Sequence, residues 1–209
     1  PFSLIARLAN APVAFVTYLV KTFWPHNMAV FYPFPAEISV WQVIATACLI
    51  VIMMSFIIAK AKKRPYLFVG WLWYTIILLP VIGIVQVGNH SMADRYSYLP
   101  LIGIGVMLAW GVPTLLRHKT SSKKILLLAA IVFLAFLTLL TGQQCGYWKN
   151  SNTLFSHALH TTENNYIAHG SLGIALCKEG QTEEAIGHFN KAIRIRPDYY
   201  KPYDSRGVA

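Results

Sequence analysis

Acidic residues are what this sequence most lacks. Residues 1–148 contain two carboxylates, Glu37 and Asp94, and the other six of the chain's eight all lie beyond Tyr147. Charge of either sign is scarce, at 12% of 209 residues against 56% hydrophobic. That balance excludes an ordinary soluble domain, whose single core could not hide so much apolar surface. The uneven placing of the acids marks two regions built for different solvents. Cysteine is scarce too: Cys48, Cys145 and Cys177 show no metal-ligand spacing and read as small apolar filler. With no other ligand cluster in view, neither a metal nor a cofactor is expected. The formal charge of +10 does not imply nucleic acid, because eight of the eighteen Lys and Arg residues sit in two short links between apolar runs. Orientation in a membrane explains them there.

What is present in quantity is long apolar runs. About 20 helical residues cross roughly 30 Å of hydrocarbon, and four stretches qualify, near 38–59, 66–88, 97–116 and 125–145. None has an Asp, Glu, Lys or Arg between Gln42 and Ala59, Tyr66 and Gly88, Ser97 and Leu116, or Ile125 and Tyr147. Pro80, Pro100 and Pro113 are expected as kinks rather than breaks. An earlier stretch, 2–24, is interrupted by Arg7, Asn10, Pro12 and Lys21, and fits either a span or an interfacial helix. The links Lys60-Ala61-Lys62-Lys63-Arg64 and Arg117–Lys124 place the cytoplasm, since positive loops stay inside. Counting crossings puts 25–37, 89–96 and everything after Tyr147 outside. Trp71, Trp73 and Tyr74 are expected at a headgroup level, as are Tyr96, Tyr98, Tyr147 and Trp148. Pro1 reads as a truncation.

The region 149–209 follows the 34-residue pattern of a tetratricopeptide repeat (TPR), a helix pair with fixed small and large positions. Tyr166 opens the unit, His169 takes the tryptophan place, and Leu172, Gly173 and Leu176 complete the first helix. Ala185, Phe189, Ala192 and Pro197 follow in register on the second. The full repeat is 166–199, preceded by a degenerate half repeat, 149–165, announced by Phe155 and Ala158, and followed by the start of another at 200–209. The expected fold class is therefore all-α: a polytopic helical membrane domain, 1–148, followed by TPR helical hairpins. A stack of this kind implies a protein or peptide partner.

One outer loop is chemically dense. Asn89-His90-Ser91-Met92-Ala93-Asp94-Arg95-Tyr96-Ser97-Tyr98-Leu99-Pro100 sets an acid, a guanidinium, an imidazole and two phenols at the membrane edge. A guanidinium there grips a phosphate bidentately. The same residues also suit a plain interface anchor, with Arg95 and Asp94 snorkelling to headgroups.

The run Ala93-Asp94-Arg95-x-x-Tyr98-Leu99-Pro100 resembles the acid-Arg-x-x-Tyr-Leu/Ile-Pro stretch of the transmembrane and tetratricopeptide-repeat O-mannosyltransferases. Phe23-Trp24-Pro25 and the Met28–Phe31 run resemble their Trp-Pro stretch, and bacterial relatives share the order of parts. The resemblance implies a glycosyltransferase of the GT-C type that uses a polyprenyl-phosphate sugar and a protein acceptor on the outer side. It implies that Arg95 binds the carrier phosphate while Asp94, His90 and Tyr98 shape the site. Its catalytic acid belongs to an upstream outer loop, so no catalytic residue is assigned here, and Glu37 is not given that role. Where those proteins carry an aspartate after Trp-Pro, this chain has Val30-Phe31-Tyr32-Pro33. The expected location is a bacterial inner membrane with periplasmic repeats. A membrane-anchored TPR scaffold is the alternative, and a transporter fits poorly because the spans hold no charge for an ion path.

Overall fold

The computed structural model describes residues 3–35, 37–84, 90–115 and 120–208. Arg117 and Lys119 of the inner link, Asn89, and the tail 85–88 of the third apolar run lie outside the described residues. Among the described residues nine α-helices follow one another: α1 Leu4–Phe23, α2 Val40–Lys60, α3 Pro65–Leu78, α4 Tyr98–Leu115, α5 Thr120–Tyr147, α6 Ser151–Thr161, α7 Tyr166–Lys178, α8 Thr182–Ile195 and α9 Lys201–Val208. Two short extended stretches, β1 Tyr32–Pro33 and β2 His90–Met92, and a 3-10 turn at Asp94–Ser97 complete the order. The protein is all-α, a helical membrane domain followed by a TPR. It divides into two compact units, Pro1–Pro25 with Pro35–Leu140, and His26–Phe34 with Thr141–Ala209. The division falls inside α5, and residues 26–34 go with the repeats.

Among the described residues, α1, α2, Asp94–Thr114 and Lys124–Tyr147 are long and apolar enough to cross a membrane. The third run differs from its expected extent, because α3 ends at Leu78 and residues 79–83 turn. At 14 residues it is about 21 Å long, short of a full crossing. Pro80 is the physical reason, since it has no N–H to donate to the Ile76 carbonyl and the helical ladder stops there, although Leu79 itself keeps helical angles. It acts as a break. Pro113 stays inside α4, and Pro100 sits in that helix's first turn, where a missing N–H costs nothing.

The tightest contact in the first unit is α3 on α4. A Cβ on Gly103 would collide with the carbonyl oxygen of Gly70, and a Cβ on Gly70 with that of Gly103. Two glycines thus let the backbones touch, as small residues do in membrane helix pairs. Trp73 Nε1 donates to the Leu99 carbonyl at 2.9 Å across the same seam. Trp71 and Tyr74, expected at headgroup level, are each 1% exposed. They pack edge-on around Phe15 of α1, with centroids 5.6 and 5.0 Å away, and so form the centre of the bundle.

In the second unit, Leu172, Leu176, Ala185 and Phe189 form one buried cluster, against which Phe155, Leu159 and Cys177 pack. Gly173 makes room for the Phe189 ring, which has no exposed surface. Asn150 and Asn165 cap α6 and α7, their side-chain oxygens accepting from Thr153 N at 2.8 Å and Ala168 N at 2.9 Å. Gly180, at φ 79, ends α7 in the left-handed region, and Pro197 follows the end of α8. Arg196 Nη1 donates to the Tyr166 hydroxyl at 2.7 Å, tying the close of the repeat to its opening.

Candidate functional site

Asn10, Ala14, Tyr18 and Lys21 recur at helical spacing, and α1 presents them on one face. The first three are buried. That face carries the loop from His90 to Ser97. Asn10 Nδ2 donates to the Ser91 carbonyl at 3.2 Å. The Tyr18 hydroxyl accepts from Ala93 N at 2.8 Å and donates to Ala93 O at 3.0 Å, so one phenol satisfies both main-chain groups of a buried residue. The loop is thereby fixed before Asp94 and Arg95 are reached.

Lys21 Nζ lies 3.8 Å from Asp94 Oδ1, with the two side chains 15% and 18% exposed. The exposed Arg95 guanidinium lies over the Tyr96 ring, 5.2 Å from its centroid. His90 Nε2 and the Tyr96 hydroxyl are 3.2 Å apart. Burial, and then the Arg95 charge, hold His90 below the ordinary imidazole value, which keeps it neutral. The loop thus sets one carboxylate, paired with Lys21, beside an exposed guanidinium, at the start of a membrane helix. Chemically, it suits an anion.

Of the four residues expected at the site, the structure gathers His90, Asp94 and Arg95 around Tyr96 and Lys21. Tyr98 stands 74% exposed at the first position of α4, outside that cluster. Asp94, expected to shape the site of Arg95, is paired with Lys21. Sequence reasoning missed all three polar groups of the α1 face, taking Asn10 and Lys21 as interruptions of an apolar run and passing over Tyr18. The spacing of four, four and three residues through Asn10, Ala14, Tyr18 and Lys21 was the available signal.

The repeat carries a second polar pair, His169 Nδ1 and His188 Nδ1, 2.9 Å apart. The ring centroids are 5.2 Å apart, about as far as that separation plus two ring radii allows, so the nitrogens meet head-on. One donates to the other. A shared metal would need the two lone pairs to converge at an angle, and among the described residues no three His, Cys, Asp or Glu side chains gather to hold one. Elsewhere on the repeat unit lies an open cleft of about 370 Å³ lined by Asn150, Phe155, Ser171, Ile174 and Lys178.

Comparison with known proteins locates both parts. The tetratricopeptide repeat family matches residues 166–199. Human protein O-mannosyl-transferase TMTC4 is 30% identical over 162 residues, 75% of this chain and 22% of its own length. Drosophila melanogaster Tmtc2 is 31% identical over 120 residues, 57% of this chain and 13% of its own. The chain is similar to the TMTC protein O-mannosyl-transferases. Drosophila Tmtc3 adds a 29% identical match over 60% of this chain and 14% of its own length. The chain therefore spans about a fifth or less of these relatives. No solved structure matches it.

Proposed function

We propose that this chain is part of an integral membrane glycosyltransferase of the GT-C type. It takes a sugar from a polyprenyl-phosphate carrier and gives it to a protein acceptor on the extracytoplasmic side, with the repeats holding the acceptor or a partner. The observation that carries this reading is the charge arrangement of the outer loop, where Asp94 pairs with Lys21 while the exposed Arg95 guanidinium lies over Tyr96. Arg95 binds the carrier phosphate and stabilises the charge that grows on it as the anomeric bond breaks. Asp94 holds Lys21, and His90 and Tyr96 fix the surface on which Arg95 lies. Tyr98, exposed next to them, lines the path of the carrier. A base from upstream sequence deprotonates the acceptor hydroxyl, which attacks the anomeric carbon. The names of the relatives make mannose the first sugar to test. The positive links at 60–64 and 117–124 support an inner membrane location with outward repeats, periplasmic in a bacterium.

The test uses the full-length protein in membranes with polyprenyl-phosphate mannose and an acceptor peptide. Lysine keeps the charge of Arg95 but loses the planar fork. Loss of a charge-assisted bond of about 1.5–3 kcal/mol slows transfer by roughly ten- to a hundredfold. Arg95→Lys and Arg95→Ala both transferring at the unaltered rate removes the phosphate role. A second reading, a membrane-anchored scaffold without chemistry, is favoured by the open repeat cleft beside Ile174 and Lys178. It gains if the unaltered full-length protein transfers sugar from no carrier.

A further inference from the structure

The connection between α1 and α2 is held by the repeat unit at two main-chain points. His157 Nε2 donates to the Met28 carbonyl at 3.1 Å, and Asn165 Nδ2 donates to the Phe31 carbonyl at 3.0 Å. Both contacts read backbone, so they grip a chain direction and not a side chain. Between them Ala29, 5% exposed, lies against Ala158 and Ala168, which have no exposed surface at all. Val30, Tyr32, Phe155 and Leu159 close round this floor. The Phe31 ring meets Tyr166 edge-on at 6.2 Å. Only a small residue fits where three alanines meet, because close-packed interiors do not yield to added volume.

The two gripping side chains are themselves fixed by other contacts. His157 is stacked on Tyr147, centroids 3.6 Å apart and planes 6° from parallel. Asn165 is 1% exposed; its oxygen caps α7, and its nitrogen also donates to Thr162 Oγ1 at 2.8 Å. The bound segment is equally well shaped by itself. The Tyr32 hydroxyl accepts from Ala29 N at 2.7 Å and donates to Asn27 O at 3.2 Å, closing a turn that Asn27 enters at φ 50. A preformed groove and a preformed turn are the two halves of a recognition site, since each side has lost its freedom before they meet.

We propose that the groove between α6 and α7 is a peptide-binding site and that residues 27–32 are its intramolecular ligand. The class of ligand is a polypeptide turn with alanine or glycine at the place of Ala29 and an aromatic ring two residues on. Covalent linkage gives this turn a high effective concentration, which keeps the groove filled and closed to other polypeptides.

The test uses the full chain in lipid nanodiscs and a fluorescein-labelled peptide of sequence His26–Phe34. Ala29→Trp in the chain evicts the resident turn. A second variant replaces residues 27–32 by a glycine-serine linker of equal length and adds no bulk. Fluorescence anisotropy is expected to show the peptide binding either variant roughly a hundredfold more tightly than the unaltered chain. A peptide that itself carries Ala29→Trp is expected to bind none of them. Amide hydrogen exchange across α6–α8 checks that the groove survives. Equal binding to altered and unaltered chains overturns the proposal, as does no binding while α6–α8 stay protected. Loss of that protection in both variants also overturns it, because the turn is then part of the fold and not a ligand.

Discussion

Gly173→Ala sets two effects of similar size against each other. Alanine in a helix interior is worth about 1 kcal/mol over glycine. Against that, a Cβ at this position would lie 2.5 Å from Phe189 Cε1, 2.8 Å from Cδ1 and 3.0 Å from Cζ. Real carbon contacts need roughly 3.5–4.0 Å, so the ring has to retreat, and it is fully buried among Leu172, Leu176 and Ala185. Overpacking of this kind costs about 1–3 kcal/mol. Gly187 of α8 supplies the control, since a Cβ there meets nothing within 4 Å. Gly187→Ala is expected to stabilise the repeat by about 0.5–1 kcal/mol. Gly173→Ala should lie about 1–3 kcal/mol below it, and Phe189→Leu in the same chain should remove most of that difference, because the clash partner is gone. Hydrogen exchange of the α7 and α8 amides in the intact chain reads both changes. If Gly173→Ala stabilises the repeat as much as Gly187→Ala does, the packing account of this glycine is wrong.

The repeat should also weaken in acid. Burial, then His188 and Lys191, push His169 down to about 4, and His188 is lowered too, against the opposing pull of Glu184. The unfolded chain takes up protons that the fold resists, so stability is expected to fall as pH drops from about 6.5 towards about 4, by about 1–2 kcal/mol once solvent screening of these half-exposed rings is allowed for. A stability profile across that range checks it, and His169→Trp should make the slope shallower. In the membrane domain, Gly103→Ala must push α3 off α4, because what it meets is the Gly70 carbonyl, and backbone cannot step aside. Gly105→Ala, two residues on, meets nothing within 4 Å and should leave the melting temperature in detergent nearly unchanged. For topology, with Cys48, Cys145 and Cys177 replaced, a new cysteine in the 117–124 link should be shielded from an impermeant thiol reagent in intact cells, and one near Asn150 labelled. The reverse pattern would invert the orientation.

The TPR register was legible because its pattern is a packing rule written at fixed intervals. Gly173, Ala185 and Ala192 are small where helices touch, and Phe189 is large where a gap needs filling, all within one short segment. The apolar runs were legible for a similar reason, since hydrocarbon thickness sets one length. Pro80 was not, because the same residue kinks a membrane helix when neighbours satisfy the freed carbonyl and ends it when they do not. The attachment of residues 26–34 to the repeats left no local trace at all. His157 and Met28 are 129 residues apart, and Asn165 and Phe31 are 134 apart. A contact over that distance is chosen by the fold and not by sequence neighbours.

The outer-loop site was half legible, and the half that was missed changes its chemistry. Asp94 and Arg95 are adjacent in sequence, and by residue type alone they suit either a phosphate grip or an anchor at the headgroups. In the 3-10 turn consecutive side chains diverge, and Asp94 reaches Lys21 on α1 while Arg95 rests on Tyr96. The carboxylate is thus taken up by the cation with 15% of its side chain exposed, and the cation at the surface keeps its charge for a ligand. Lys21 would be costly to leave there unpaired, since desolvation works against an isolated ammonium. On the reading proposed above, Asp94 therefore needs no direct contact with the sugar donor: it allows Lys21 to stay charged where little of it meets solvent. One acid among so few thus serves, on that same reading, a phosphate site by taking up Lys21 and leaving Arg95 exposed.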